Sequence, residues 1–165
     1  MLPPPFEVCD LKGNYASKQP ITEDAIMKMA NYLARQRLRK GRSLTSPTDS
    51  IAYLQTIFQT LPYETFGAIY LDQKNKIITF ETLFKGTINR SAIYPRELVK
   101  NALSNNSSAL ILFHNHPSGD PTPSKEDLLT TQTIKTALDL VDIRLLDHIV
   151  IGLNNCISLA KHGNI

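Results

Sequence analysis

The chain is 165 residues long and 42% apolar, enough for one globular domain with a real core and a short extra arm. No run approaches about 18 consecutive apolar residues, which excludes a transmembrane helix, and Cys9 and Cys156 stand alone without the spacing of a disulfide framework or a Cys-based zinc site. The net charge of +3 is unevenly placed: residues 1–43 carry eight basic side chains against four acidic ones, and residues 44–165 carry ten against eleven.

Met1 to Phe6 is Pro-rich and lacks both the basic and the apolar region of a secretory signal, so a reducing cytoplasm is the expected compartment. Residues 1–20 hold four prolines and little periodicity, and read as an extended or disordered arm. From Thr22 to about Arg39, Ile26, Met29, Ala30 and Leu33 recur at helical spacing, and Gly41 ends the segment. The basic excess gathers at its end, in Arg35, Arg37, Arg39, Lys40 and Arg42. Such a cluster can contact phosphates, but cations also suit a helix C-terminus, and a solvated helix end is the preferred reading.

Ser46-Pro47 opens a second helix, with Ser46 as cap, Pro47 in first position and Asp49 in the first turn. Ile51, Leu54, Phe58 and Leu61 form its buried face, and Pro62 stops it. Two strands follow, Thr65–Leu71 and Ile77–Phe84, joined by a polar turn from Asp72 to Lys76. A loop from Gly86 to Ile93 leads to a helix over Pro95–Leu103. The short apolar run Ala109–Phe113 reads as a buried strand, residues 117–123 as a stiff Pro-rich loop, and Ser124 to about Leu140 as a helix. Strands Leu145–Ile151 and Ile157–Ala160 close an α/β domain that begins near Leu44, with residues 1–43 as an appendage that is basic toward its end.

The chemistry lies in Phe113 to Asp127, FHNHPSGDPTPSKED. Alternate residues of a strand share a face, so His114 and His116 can converge on one ion. Asp127 follows in the first turn of a helix. Two imidazoles, one carboxylate and water make the open set expected of catalytic zinc. Each part also has a plainer explanation: the histidines can be solvent-facing, and Ser124 to Asp127 matches a capping box with Asp in place of Glu. Capping leaves the His pair unexplained.

The joint pattern, His-x-His-x7-Ser-x2-Asp, matches the JAMM motif of the MPN-plus metallopeptidases, and the wider sequence resembles the RadC family, a bacterial branch of that group. The resemblance runs from about Ser46 to Ile151 and includes Tyr94-Pro95-Arg96-Glu97, the stretch from His114 to Pro121, and Leu146-Asp147-His148-Ile149-Val150-Ile151-Gly152. It implies a three-layer, cytidine-deaminase-like α/β domain with a mixed sheet flanked by helices. It implies zinc held by His114, His116 and Asp127. It also implies a glutamate near the metal, which by order is Glu64, with Glu81 as rival and Glu97 less suited, being on a helix. Ser124 matches the family's serine, a donor to the developing oxyanion. His148 is not needed as a ligand, and a structural histidine is its preferred reading.

The implied activity is metal-dependent hydrolysis of a peptide or isopeptide bond in a peptide or protein substrate. Nucleobase deamination fails on inspection, because position 116 is His and no PCxxC segment exists; HExxH is absent too. A nucleic-acid-associated accessory protein is the alternative from another class. Residues 1–43 are too few for the helix-hairpin-helix module of longer relatives and lack a Gly-x-Gly hairpin, so that alternative rests on the basic cluster. A metal-binding scaffold without turnover is the third.

Overall fold

The computed structural model describes residues 1–10, 12–44, 47–86 and 93–165. The chain opens on β1 (Phe6–Val8) and β2 (Tyr15–Ser17), paired antiparallel, where the sequence reads as an extended or disordered arm. The turn between them is held by the Asp10 carboxylate, which accepts from the backbone of Lys12 and Asn14 and from the Asn14 amide. Strands of three residues are too short to leave a periodic signal, which is why composition misled.

Helix α1 (Glu23–Arg37) starts where the Thr22 hydroxyl caps the Ala25 N–H, with Glu23 and Asp24 in its positive first turn. It packs on α2 (Pro47–Phe58), and its Ala34 and the adjoining Leu38 enter the same buried cluster as Leu54, Ile57 and Phe58 of α2. The expected cap, Ser46, lies outside the described residues, as does the Asp49 side chain.

The centre is a mixed five-stranded sheet of β3 (Thr65–Leu71), β4 (Ile77–Lys85), β5 (Ala109–Asn115), β6 (Arg144–Ile151) and β7 (Cys156–Ser158), in the order β4-β3-β5-β6-β7. The β3–β4 turn is fastened by Asp72, whose carboxylate accepts from Lys74 N and Lys76 N. All sheet pairings are antiparallel except β5 with β6, whose crossover is α4 (Lys125–Asp139). Helix α3 (Pro95–Ser104) precedes β5 and starts with Pro95 in its first turn, where the missing N–H is harmless.

Strand alternation sorts the core into two clusters. Ile69, Leu71, Ile111, Phe113, Ile149 and Ile151 pack toward α1 and α2, while Phe66, Ala68, Tyr70, Leu110 and Leu112 pack toward Leu98 and Ala102 of α3 and Ile134 and Leu138 of α4. The chain is therefore a mixed α/β sheet with helices on both faces, as the family resemblance implies. Among the described residues no helix is long and apolar enough to cross a membrane.

Alternation also decides what faces α4. His114 has the parity of Leu110 and Leu112, and it sits opposite Phe66 in the β3 register, so both belong on the α3/α4 side. Strand β6 needs a correction to arrive there. Leu110 pairs with Leu145 but Ile111 pairs with Asp147, so Leu146 is an extra residue, a β-bulge. Past the bulge Asp147, Ile149 and Ile151 turn toward α1 and α2, and His148 turns toward α4.

Candidate metal centre

His114 and His116 come from the end of β5 and the residue after it. Their Nε2 atoms lie 3.0 Å apart. Asp127, in the first turn of α4, brings Oδ1 to 3.3 Å from His114 Nε2 and Oδ2 to 3.5 Å from His116 Nε2. Glu64, just before β3, completes the group: a carboxylate oxygen of Glu64 and ring nitrogens of His114 and His116 lie within 4.8 Å of one another. Its rivals stay outside. Glu81 sits on β4 opposite Ala68, and Glu97 heads α3, where it meets Arg96 and Lys100.

Each ligand-type side chain is held from behind. The Nδ1 of His116 lies 2.7 Å from the Asp120 carbonyl oxygen, which can only accept, so Nδ1 carries the hydrogen and leaves Nε2 as the outward atom. Asp120 is fixed because residues 117–121 fold back over the end of β6: Gly119 N donates to His116 O and Leu153 N to Gly119 O. Gly119 takes the left-handed φ of +85° that this tight return needs.

Asp127 is held by the capping box that opens α4. Ser124 N and Ser124 Oγ both donate to Asp127 Oδ2 at 2.7 Å, and Asp127 N donates back to Ser124 Oγ at 3.0 Å. The capping box and the carboxylate's place in the cluster, alternatives in the sequence, are one arrangement here: the same bonds that start the helix aim the carboxylate at the histidines. The Ser124 hydroxyl hydrogen is spent on Asp127, and its proposed donation to substrate needs that hydrogen to swing away.

Glu64 is positioned by Asn115, the residue between the two histidines. Its Oδ1 accepts from Thr65 N at 2.8 Å and its Nδ2 donates to Tyr63 O at 3.1 Å, so one buried amide brackets the backbone on both sides of Glu64. No sequence signal marks this role, because it depends on β3 and β5 being neighbours.

The electrostatics of the cluster are dominated by Asp127 and its two histidine neighbours. Burial, the largest influence on Asp127, favours its neutral form, yet the two imidazoles and Ser124 together hold its carboxyl far below the usual carboxylate range. His116 is raised above the ordinary histidine value, by its bond to Asp127 first and against the opposing effect of burial. His148, wholly buried, is pushed well below that value by burial first and then by neighbouring His114. Two imidazole nitrogens and one carboxylate, with a second carboxylate beside them, form a donor set suited to a divalent metal that keeps a position open. A 550 Å³ groove beside them is lined by Glu64, Phe66, Ile93, Pro95, Ser124 and Leu129, among others, so a ligand can reach the cluster.

A family model described as "RadC-like JAB domain" matches residues 44–164. Among curated relatives, a UPF0758 protein of Pseudomonas syringae is 43% identical over 84% of this chain and 62% of its own length. One from Marinobacter nauticus is 46% identical over the same shares. One from Psychromonas ingrahamii is 41% identical over 95% of this chain and 69% of its own length. The chain thus spans under two thirds of the length of the first two.

Proposed function

This chain belongs to the RadC-like JAB domain family, and on that premise we propose that it is a zinc-dependent hydrolase that cleaves a peptide or isopeptide bond. The observation that carries the reading is the convergence of His114 Nε2, His116 Nε2 and the Asp127 carboxylate, with Glu64 within reach of both histidines.

His114, His116 and Asp127 would hold the metal. Zinc bound there would supply Lewis acidity toward a water molecule and an amide carbonyl. Glu64 accepts the proton that water gives up and returns it to the departing amine, a general base and then a general acid at one carboxylate. Asn115 holds the backbone on either side of Glu64. The Ser124 hydroxyl turns from Asp127 to donate to the oxygen on which negative charge develops. The groove, with Phe66, Ile93, Pro95 and Leu129 as its apolar part, receives the peptide or protein substrate.

The test is cleavage of a diverse peptide and isopeptide library by the zinc-loaded chain and by Glu64→Gln. Loss of a positioned acid–base group costs about two to four orders of magnitude in rate. The reading expects that loss for Glu64→Gln with zinc content unchanged, and a far smaller loss for Glu81→Gln. Equal activity in wild type and Glu64→Gln would overturn the role of Glu64, and no cleavage by zinc-loaded wild type across the library would favour a scaffold over an enzyme.

A further inference from the structure

His148 is fully buried on β6 and is not one of the candidate ligands, yet it touches one. Its Nε2 lies 2.8 Å from Nδ1 of His114, and its Nδ1 lies 2.6 Å from the Thr131 hydroxyl. Thr131 stands one helical turn after Asp127, and its hydroxyl oxygen is also 2.6 Å from the Asp127 carbonyl oxygen. Three short bonds therefore run in series from the backbone of one candidate ligand to the ring of another.

Their direction follows from counting hydrogens. A carbonyl oxygen only accepts, so the contact between Thr131 Oγ1 and Asp127 O requires the single hydroxyl hydrogen of Thr131. That hydrogen is then not available to His148, and Nδ1 of His148 must donate to Thr131 Oγ1. The neutral His148 ring has one hydrogen, now on Nδ1, so its Nε2 accepts. The donor to it is Nδ1–H of His114. A neutral His114 with its hydrogen on Nδ1 has a bare lone pair on Nε2, the atom facing His116 and Asp127. The reverse polarity would put two bare oxygens 2.6 Å apart at Thr131 and leave His114 Nε2 protonated and unable to ligate.

We propose that His148, anchored by Thr131, is a positioning residue that holds His114 in the tautomer and orientation a metal ligand needs. It rests on the metal-centre reading given above. The fold makes a specific provision for it: the bulge at Leu146 turns His148 toward α4, and regular alternation from Leu145 would have turned it away. On the other face Asp147 fastens that bulge. Its carboxylate accepts from His148 N at 2.8 Å, Ala160 N at 3.1 Å and the Ser158 hydroxyl at 2.6 Å. Asp147-His148 thus works as a pair across the sheet, one holding the backbone and the other the ligand ring. Partners of this kind behind ligating histidines are a general means of fixing the metal-facing nitrogen.

The experiment uses the full chain, ¹⁵N-labelled, as wild type, Thr131→Val, Thr131→Ser and His148→Gln. Valine has the shape of threonine without the hydroxyl, and serine returns the hydroxyl alone. The readouts are the imidazole ¹⁵N shifts of His114 in metal-free protein, zinc affinity by chelator competition, and thermal stability. Wild type should show His114 protonated on Nδ1 and bare on Nε2. Thr131→Val and His148→Gln should lose that single tautomer and bind zinc about 10 to 100 times more weakly, and Thr131→Ser should restore both properties. A purely structural role would lower thermal stability in Thr131→Val and leave tautomer and affinity as in wild type; that result overturns the proposal. So does a wild-type His114 protonated on Nε2. Failure of the metal-centre reading looks different, with wild type taking up no zinc whatever the tautomer, and it removes the proposal's premise.

Discussion

Gly152 lies directly under the loop that positions His116, and its substitution by alanine joins packing to metal affinity. A Cβ there would collide with the Gly119 carbonyl oxygen and fall 2.7 Å from Pro121 Cδ and 2.8 Å from Pro121 N. Ordinary contacts between such atoms are about 3.5 Å or more, so the loop must retreat by about 1 Å. The Asp120 carbonyl, part of that loop, now sits 2.7 Å from His116 Nδ1. A retreat of that size takes it beyond hydrogen-bond range. Overpacking costs about 1–3 kcal/mol, and for a domain of this size a melting temperature falls by about 2–4 °C per kcal/mol. Gly152→Ala is therefore expected to melt several degrees lower and, having lost the bond behind a ligand, to bind zinc about tenfold or more weakly. Gly41→Ala is the control: its Cβ meets nothing within 4 Å and it lies outside the site, so only its left-handed φ of +84° resists the change. Thermal melts and chelator competition on the three proteins decide the matter. Wild-type affinity in a folded Gly152→Ala would refute the link between loop and ligand.

Ser124→Ala removes the hydroxyl that caps α4 and steadies Asp127; circular-dichroism melts should show about 1 kcal/mol of lost stability, and zinc should still bind, since Ser124 is no ligand. Acid should strip the metal early. His116 Nε2 must be unprotonated to bind, and the pKa of His116 in the metal-free chain is raised from 6.5. Affinity is therefore full above that raised pKa and falls by about tenfold or more per pH unit below it, as protons compete for the ligand nitrogens; chelator competition across pH tests this, and a flat profile contradicts it. The exposed basic residues Arg35, Arg37, Arg39, Lys40 and Arg42 are expected to be a solvated helix end. Fluorescence anisotropy should accordingly find negligible affinity for duplex DNA at physiological salt; tight binding with a steep salt slope, lost when these residues are made neutral, would reverse that reading.

The strand periods, helix stops and turns between Thr65 and Ile151 are legible because each element there is long enough for alternation or a 3.6-residue repeat to show. The spacing from His114 to Asp127 is legible for a related reason: it lies within one strand, one loop and one helix start, so few conformations connect the residues. What could not be read depends on pairings between distant segments. The Asn115 bracket around Glu64 needs β3 beside β5. His148 faces the site only because Leu146 bulges, and a bulge leaves no mark in an apolar strand whose two faces are both buried. Thr131 was within reach of sequence reasoning, since it shares a helix face with Asp127 at a spacing of four, but its partner was not. The N-terminal hairpin was missed because three-residue strands carry no period, and Asp10 fixes its turn through geometry that composition does not reveal.

The account depends most on His114, His116 and Asp127 holding one metal together. X-ray absorption at the zinc edge of the loaded wild-type chain measures this directly, read beside zinc stoichiometry for wild type, His116→Ala and Asp127→Ala. The predicted result is about one zinc per chain in wild type, an all nitrogen-and-oxygen shell at about 2.0–2.1 Å with the scattering of two imidazoles, and loss of the metal in both variants. A sulfur neighbour, a single imidazole, or full zinc retention in both variants would place the metal elsewhere and contradict the account.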